Sequence, residues 1–280
     1  MTCLADIQRH MASMRELTDI VGAMRSLAGM RLQETQQVLR SIRRYRESTA
    51  QAVSSALLLM PTPEPASRTN GSSRTIILCA AEHGFVGSFN ERLVESALES
   101  NAQLFVLGSR GAGLASERGQ HLAWSRAMPT HVAAVPDSIN ALTRELYRRI
   151  ARGEISRVEV VFGRYRQGAS TSIERRLLLP LDTNSLAPGR ARRAVLHNLR
   201  PDLLLEKLIE EYVFAMLTEA AVESIASENA ARFATMESAH ENISKRLAEL
   251  TQDARIARQS EITSELLDLI VGAEALGPTE

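Results

Sequence analysis

Aromatic side chains are scarce in this 280-residue chain, at 4% of the residues, and lysine is almost absent. The hydrophobic fraction is 44%, so aliphatic side chains and methionine must supply most of any packed core. The basic residues are 31 arginines against two lysines, Lys207 and Lys245. Two explanations stay open for that imbalance: a GC-rich genome, or the use of the planar guanidinium group against carboxylates.

Cysteine is also rare, and Cys3 and Cys79 lie far apart in sequence. They form no disulfide framework, and neither they nor the six histidines show a metal-ligand spacing. Zero formal net charge argues against a general nucleic-acid or membrane-surface binder. No window approaches the roughly 18 to 20 apolar residues that span a bilayer. The N-terminal segment is amphipathic, so we expect no signal peptide, no cofactor, and membrane association only through partners.

The two ends of the chain carry the spacing of a coiled coil. Near the C-terminus, apolar residues and one histidine recur every three and four positions: Phe233, Met236, His240, Ile243, Leu247, Leu250, Ala254 and Ala257. A similar stripe runs along the N-terminus: Leu4, Ile7, Met11, Met14, Leu17, Val21, Met24 and Ala28. Each stripe keeps one side of a helix apolar and requires a partner helix. We therefore predict that the two terminal helices pair, with His240 as a packing residue.

The middle of the chain alternates strand and helix patterns, which predicts an α/β layer with a mostly parallel sheet. Strands are predicted at 75–80, 103–107, 131–135, 157–162 and 171–179. Helices are predicted at 89–98 and 137–150, the second capped by Asp137. Cys79 falls in the first strand, so we expect it to be a small core residue.

Proline-rich and glycine-rich stretches mark the boundaries between these parts. They divide the chain into an N-terminal coiled-coil helix over 1–60, a linker over 61–73, a Rossmann-like α/β domain over 74–190 and a C-terminal coiled-coil helix over 191–280. The fold class is thus mixed α+β and α/β, with a long antiparallel coiled coil and an inserted α/β domain.

A glycine-rich segment, Gly108–Gly113, follows the second strand and invites comparison with a phosphate-binding loop. Its order is G-x-x-G-x-G, no acidic ribose partner stands about twenty residues on, and the chain has no G-x-x-x-x-G-K-[ST] motif. We interpret it as a plain turn. No G-x-S-x-G elbow is present either, so the sequence predicts no catalytic site.

The more specific polar residues lie on the terminal helices. Near the C-terminus, a helix tip carries a set of hydrogen-bonding groups that it would not need alone: Arg258, Gln259, Thr263 and Glu265. This set predicts polar contacts inside a structure that surrounds the tip. Six arginines lie on the first helix: Arg25, Arg31, Arg40, Arg43, Arg44 and Arg46. We interpret most of them as a solvated helix face with i, i+4 pairs.

Three separated motifs, in the correct order, resemble the γ subunit family of F-type ATP synthases. The C-terminal stretches 227–236, 257–266 and 270–276 are similar to the family's SExxARMxAM, ARQAxITxEL and IVxGAxAL patterns. Residues 20–32 resemble ITKAMxMVAxxKLR, and residues 82–90 resemble DRGLCGxxN. The resemblance covers nearly the whole chain.

The resemblance implies a non-catalytic central rotor stalk, a coiled coil inside a ring of α and β subunits, with the ε subunit and the c-ring at its foot. It implies a peripheral position on the cytoplasmic face of the bacterial inner membrane. Contacts to the α/β ring are implied for Met24, Arg31, Arg232, Arg258, Gln259, Thr263 and Glu265. The foot is implied at Val195, His197, Asn198 and Pro201.

Several positions depart from the family pattern. Asp19, Val21 and Gly22 stand where Lys, Thr and Lys are common, and 195–201 lacks the usual tyrosine-acidic-proline pattern. We interpret these departures as signs of a divergent branch, of the kind found in sodium-type (N-ATPase) operons. Two rival functions stay open: a free-standing coiled-coil scaffold, and a nucleotide-binding α/β enzyme using Gly108–Gly113.

Overall fold

A computed structural model describes residues 4–60, 73–98, 102–166, 171–182 and 197–275. Two long helices enclose an α/β region in sequence. The elements, in chain order, are α1 (Leu4–Leu57), β1 (Arg74–Cys79), α2 (Phe89–Ala97), β2 (Ala102–Leu107), α3 (Ser109–Glu117), β3 (Leu122–Arg126), a 3₁₀ turn (Val132–Ala134), α4 (Val135–Ala151), β4 (Arg157–Arg164), β5 (Ser172–Leu179) and α5 (Pro201–Ala275). Among the residues described, none of the helices combines the length and apolarity needed to cross a membrane.

Two compact units make up the chain, Met1–Leu27 with Phe233–Glu280, and Ala28–Arg232. We call them the tip unit and the body unit. Both long helices contribute to both units. The four-part division made from sequence stays a prediction, and its linker, 61–73, lies almost wholly outside the described residues.

The sheet of the body unit has five strands in the order β3-β2-β1-β4-β5. The first four are mutually parallel, and β5 runs antiparallel beside β4. This confirms the predicted mostly parallel sheet. Strand order reverses between β1 and β4, since β1 leads to β2 and β3 on one side while β4 leads to β5 on the other. The carboxyl ends of β1 and β4 therefore form the switch point of a doubly wound sheet.

Both faces of the sheet are covered, which explains the uninterrupted apolar runs in its strands. In β1, Ile76 and Leu78 join the core formed with α2 and α3, whereas Ile77 and Cys79 face the core formed with α4, α1 and α5. Cys79 is fully buried, as predicted, and burial raises the pKa of its thiol to about 12. The thiol is therefore protonated and inert at neutral pH.

The structure corrects three sequence predictions in the α/β region. The third strand is Leu122–Arg126, whereas 131–135 forms a 3₁₀ turn leading into α4. The glycine-rich segment is not a plain turn, because α3 begins at Ser109. Asp137 lies in the first turn of α4 without capping it, since the cap position is Ala134. Helix α4 thus begins at Val135, before the Asp137 signal from which its start was predicted.

The terminal helices run antiparallel within the body unit. Arg43 of α1 pairs with Glu223 of α5, while Ala52 and Ala56, near the end of α1, lie beside the start of α5 at Leu204 and Leu208. As residue numbers rise along α1, those of the neighbouring α5 residues fall. This antiparallel arrangement agrees with the predicted pairing of the two terminal helices.

The coiled-coil stripes appear in the tip unit with two corrections. Met236 and Leu250 of α5 are buried and Ile7 of α1 is 7% exposed, as expected of seam residues. Phe233 and Leu17, however, are 39% and 42% exposed. Leu17 falls off the seam because two steps of three, from Met11 to Met14 and again to Leu17, fall short of a repeat that averages 3.5 residues per step. The half-buried Thr18 takes that place.

Gly163, near the end of β4, lies at a close approach between the sheet, α2 and α5. A Cβ atom at this position would lie 2.5 Å from Phe89 Cε2 and 2.8 Å from Ser227 Cβ. We expect Gly163→Ala to lower the free energy of unfolding by about 1–3 kcal/mol through overpacking, as measured by urea denaturation.

The matched control is Gly113→Ala in α3, where a new Cβ would meet no atom within 4 Å. It should raise stability by up to about 1 kcal/mol through helix propensity. Equal shifts in the same direction for both variants would contradict the close approach at Gly163.

Candidate functional site

The central part of α5 is buried on every side within the body unit. From Ala215 to Asn229 every residue is buried, which is about four helical turns. A helix enclosed in this way is normally apolar all round. This one instead carries a set of buried polar side chains: Thr218, Glu219, Glu223, Ser224, Ser227, Glu228 and Asn229.

Ser224 connects α5 to the switch point of the sheet. Its hydroxyl donates to the backbone carbonyl of Cys79 at 2.5 Å, and the backbone N–H of Gly163 donates to Ser224 Oγ at 3.4 Å. The two backbone groups belong to the carboxyl ends of β1 and β4, where a doubly wound domain holds its ligand. In this chain α5 occupies that place.

Arg232 ties α5 to the loop that follows β1. Its guanidinium donates twice to the carbonyl of Gly84, each at 3.2 Å, and also to Glu228 at 2.7 Å and to Asn229 at 3.3 Å. Arg232 is 7% exposed. Burial raises the pKa of the Glu228 carboxyl although Arg232 lies beside it. The family resemblance implies that Arg232 contacts surrounding subunits; within this chain its guanidinium makes the intramolecular bonds just described.

Two further glutamates of α5 face arginines from other elements. Glu219 pairs with Arg46 of α1 at 2.8 Å and with Arg176 of β5 at 2.9 Å, and Glu223 pairs with Arg43 of α1. The interpretation of the α1 arginines as a solvated face is therefore wrong for Arg43 and Arg46. It is also wrong for Arg25 in the tip unit, which pairs with Glu237 at 2.9 Å. These arginines bridge separate helices instead of neighbouring turns of one helix.

The N-terminus of α3 is occupied by a carboxylate of the chain itself. Glu82 accepts hydrogen bonds from the N–H of Ser109 at 2.9 Å, the hydroxyl of Ser109 at 2.7 Å and the N–H of Met128 at 2.8 Å. Burial alone would raise the pKa of Glu82, but these hydrogen bonds and nearby His83 hold it below its ordinary value. A helix N-terminus after a parallel strand is a ready site for phosphate. Here Glu82 fills it.

The loop between Glu82 and Asn90 is held at both ends and strained in the middle. Asn90 Oδ1 accepts the N–H of Ala81 at 2.9 Å, while Gly84 is held by Arg232. Phe85 has a φ of +61° and is 64% exposed. A bulky residue in this left-handed conformation costs on the order of 1 kcal/mol. The hydrogen bonds on either side stabilise the conformation.

The last described turns of α5 have no covering surface in the tip unit. Every residue from Arg258 to Val271 is exposed, including the predicted contact residues Arg258, Gln259, Thr263 and Glu265. The same turns expose six aliphatic side chains at 50–70% of their area: Ile262, Leu266, Leu267, Leu269, Ile270 and Val271. Sequence reasoning selected the polar residues and missed the aliphatic ones, because only the structure shows that they lack a partner helix.

At the opposite end of α5, an apolar cavity of about 360 Å³ lies beside the predicted foot. Ala52 and Ala56 of α1 and Leu204 and Leu208 of α5 line it, together with His197, Asn198 and Leu199. Both His197 and Asn198 are exposed, and Pro201 is half-buried. Val195 lies outside the described residues. Met24 and Arg31, predicted to face the α/β ring, are both half-buried on α1.

Comparison with known proteins identifies the family. A family model described as ATP synthase matches residues 3–276. The ATP synthase gamma chain of Anaeromyxobacter dehalogenans (strain 2CP-C) is 26% identical over 294 residues, covering 99% of this chain and all of the relative. The gamma chain of Syntrophobacter fumaroxidans is 28% identical over 299 residues, covering 99% of each. This chain belongs to the ATP synthase gamma family.

Solved structures of ATP synthase stalk and rotor chains have a fold similar to that of this chain. A rotor chain of the Euglena gracilis mitochondrial ATP synthase matches with a TM-score of 0.61 at 14% identity, covering 92% of this chain and 98% of that one. A chain of the Tetrahymena thermophila central stalk and c-ring matches with a TM-score of 0.56 at 18% identity, covering 79% and 99%. The predicted fold class and family are confirmed. The scaffold and nucleotide-enzyme alternatives are not favoured.

The Glu82 carboxylate makes a testable, pH-dependent contribution to stability in this gamma-family chain. Because its folded pKa lies below the ordinary value of about 4.3, the contribution is fully present above that pH. It is lost as pH falls through the lower folded pKa. We expect Glu82→Gln to reduce the free energy of unfolding most near neutral pH, with the difference from wild type shrinking below about pH 4.

Urea denaturation between about pH 3 and pH 7 measures this difference. The control is Glu117→Gln at the exposed end of α3, which should change stability by no more than about 0.5 kcal/mol at any pH. A difference for Glu82→Gln that does not vary with pH would contradict the role assigned to the carboxylate.

Proposed function

We propose that this chain is the central rotor stalk of an F1Fo ATP synthase, a non-catalytic subunit that passes torque between a membrane c-ring and a ring of α and β subunits. Ion flow turns the stalk during ATP synthesis, and ATP hydrolysis in the β subunits turns it in the reverse direction. The observation that carries the proposal is the full-length family match together with a C-terminal helix tip that is exposed on every side.

The chemistry of the tip fits insertion into a surrounding ring. Aliphatic residues occupy two faces of the helix, centred roughly 120° apart at 100° per residue: Ile262, Leu266 and Ile270 on one, and Leu267 and Val271 on the other. A single partner helix would cover only one side. Burying such half-exposed side chains is worth on the order of 1 kcal/mol each, which favours a sleeve that encloses the tip.

Polar contacts to the ring are proposed at the positions that match the family motifs. Arg258, Gln259, Thr263 and Glu265 are exposed among the aliphatic residues of the tip. Met24 and Arg31 lie on α1, half-buried and partly available to a neighbour. For Arg232 we propose an indirect part, because its guanidinium already binds the Gly84 carbonyl.

The foot is proposed at the other end of α5. His197, Asn198 and Pro201 mark it, with Val195 at the matching position in the sequence. The apolar cavity beside His197 and Asn198 offers a seat for a side chain of the ε subunit or of a c-ring loop. The complex would place this chain at the cytoplasmic face of a bacterial inner membrane, held there by its partners.

The two alternative functions, a coiled-coil scaffold and a nucleotide-binding enzyme, predict different behaviour in solution. A scaffold would need no ring around its tip. A nucleotide-binding enzyme would need an open phosphate site, but Ser224 and Glu82 occupy the two places where one would form. Titration of the full chain with ATP separates the enzyme from the stalk, because micromolar binding would favour the enzyme.

Co-expression with the α and β subunits from the same genome tests the tip assignment. We expect the chain to co-purify with them as an ATPase. Arg258→Ala combined with Gln259→Ala should lower the ATPase rate roughly tenfold, because hydrogen bonds to charged groups are worth about 1.5–3 kcal/mol. Retention of both assembly and the full ATPase rate would remove the basis of the tip assignment.

The matched control is Arg118→Ala combined with Gln120→Ala, which removes the same two residue types after α3 in the body unit. This pair should leave the ATPase rate unchanged. An equal loss in both double variants would indicate a general effect on folding instead of contacts at the tip.

A further inference from the structure

The place where a doubly wound domain binds its ligand is filled by a helix of the chain itself. The hydroxyl of Ser224 in α5 donates a hydrogen bond to the carbonyl of Cys79 and accepts one from the N–H of Gly163. These two backbone groups lie at the carboxyl ends of β1 and β4. Gly163 has no room for a Cβ atom between Phe89 and Ser227. We call this set of backbone groups, with the carbonyl of Gly84, the α5 socket.

The contacts that hold α5 are spread widely around its axis. Arg43, Arg46 and Arg176 reach Glu219 and Glu223. On another side, Ser224 and Arg232 reach the socket. At 100° per residue, the four α5 residues that make these contacts lie within an arc of roughly 220° of the helix circumference. They are Glu219, Glu223, Ser224 and Arg232. Contacts on one side alone would act as a hinge, whereas contacts over such an arc oppose turning about the helix axis.

We propose that the α5 socket is a rotational lock, in which Ser224 and Arg232 keep α5 from turning inside the α/β domain. The proposal rests on the proposed stalk function and adds how torque passes between the α/β domain and the helix. Ser224 and Arg232 are positioning residues in it. In this proposal, the crevice in which doubly wound domains bind ligands holds α5 against rotation.

Hydrogen bonds suit a lock better than apolar packing does. Cα atoms lie about 2.3 Å from a helix axis, so turning α5 by about 25° moves each of them about 1 Å and its side-chain atoms further. A hydrogen bond of 2.5 Å or 3.2 Å is lost or weakened by such a displacement. Aliphatic contacts, being non-directional, can be replaced by similar contacts with neighbouring residues.

The full complex in inverted membrane vesicles tests the lock by comparing ATP hydrolysis with ATP-driven ion pumping. We expect Ser224→Ala combined with Arg232→Met to lower the ratio of pumping to hydrolysis, a ratio that corrects for any change in the hydrolysis rate through the ring contact proposed for Arg232. The matched control is Thr218→Ala, which also removes a buried hydroxyl from α5. Its hydrogen bond runs to Phe214 of the same helix, so the ratio should not change.

Hydrogen exchange on the purified full chain gives a second readout that does not depend on assembly. In Ser224→Ala the amide of Gly163 should exchange roughly fivefold faster, while Thr218→Ala leaves it at the wild-type rate. An unchanged pumping ratio in the double variant would overturn the lock. If the double variant does not assemble, unchanged exchange at Gly163 in Ser224→Ala overturns it instead.

These outcomes separate the lock from the stalk function itself. If the wild-type chain forms no ATPase with α and β subunits, the proposed function fails and the lock fails with it. If wild type assembles and pumps while the double variant pumps equally well, the stalk function stands and only the lock is overturned.

Discussion

The buried charges of one helix segment set the arrangement of the whole body unit. Between Ala215 and Asn229, α5 is enclosed on every side, yet it carries Glu219 and Glu223 with 4% and 2% exposure. An unpaired buried carboxylate is strongly destabilising, so each must have a cation in reach. Arginines of α1 and β5 supply those cations. The helix can therefore occupy one register and one rotation relative to α1 and the sheet.

The same requirement accounts for part of the arginine bias. Glu159 of β4, 5% exposed, is approached by Arg74, Arg157 and Arg175. Burial alone would raise the pKa of Glu159, but the arginines lower it below its ordinary value. A guanidinium bonds two partners in a fixed plane, which an ammonium does not do as well. At these positions the carboxylate-facing explanation for arginine is supported, whatever the genome composition.

The periodic parts of the fold could be predicted from sequence. Long heptad spacing identified both terminal helices, and alternation of apolar runs with helical patterns identified a mostly parallel sheet. The missed strand, Leu122–Arg126, has only half-buried and exposed residues at a sheet edge, so it lacks the continuous apolar run of the central strands. Local patterns do not reveal such an edge strand, because backbone pairing holds it more than side-chain burial.

The polar joint between α5 and the sheet could not be predicted from sequence. Ser224 and Glu82 meet their partners across 145 and 27 residues, and no spacing rule connects such pairs. The exposed aliphatic residues of the tip were missed because their sequence pattern is that of a core. Leu266 and Leu269 resemble core residues in sequence, and only their exposure in the described tip unit is the basis for proposing that another chain covers them.

A stalk that turns as one body requires the α/β domain to follow α5. Buried charges hold α5 on one side and backbone groups of the sheet hold it on another. No nucleotide chemistry is needed from this chain, since Glu82 and Ser224 fill the places where phosphate would bind. The domain serves instead to carry rotation outward from the helix.

Single-molecule rotation measures whether the α/β domain turns with α5. A bead would be attached to the α/β domain through Arg118→Cys, with Cys3→Ser as a background change, in a complex with surface-fixed α and β subunits. We expect ATP to make the bead rotate in one direction. A bead that stays still while the same complexes hydrolyse ATP would show that the domain does not follow the helix.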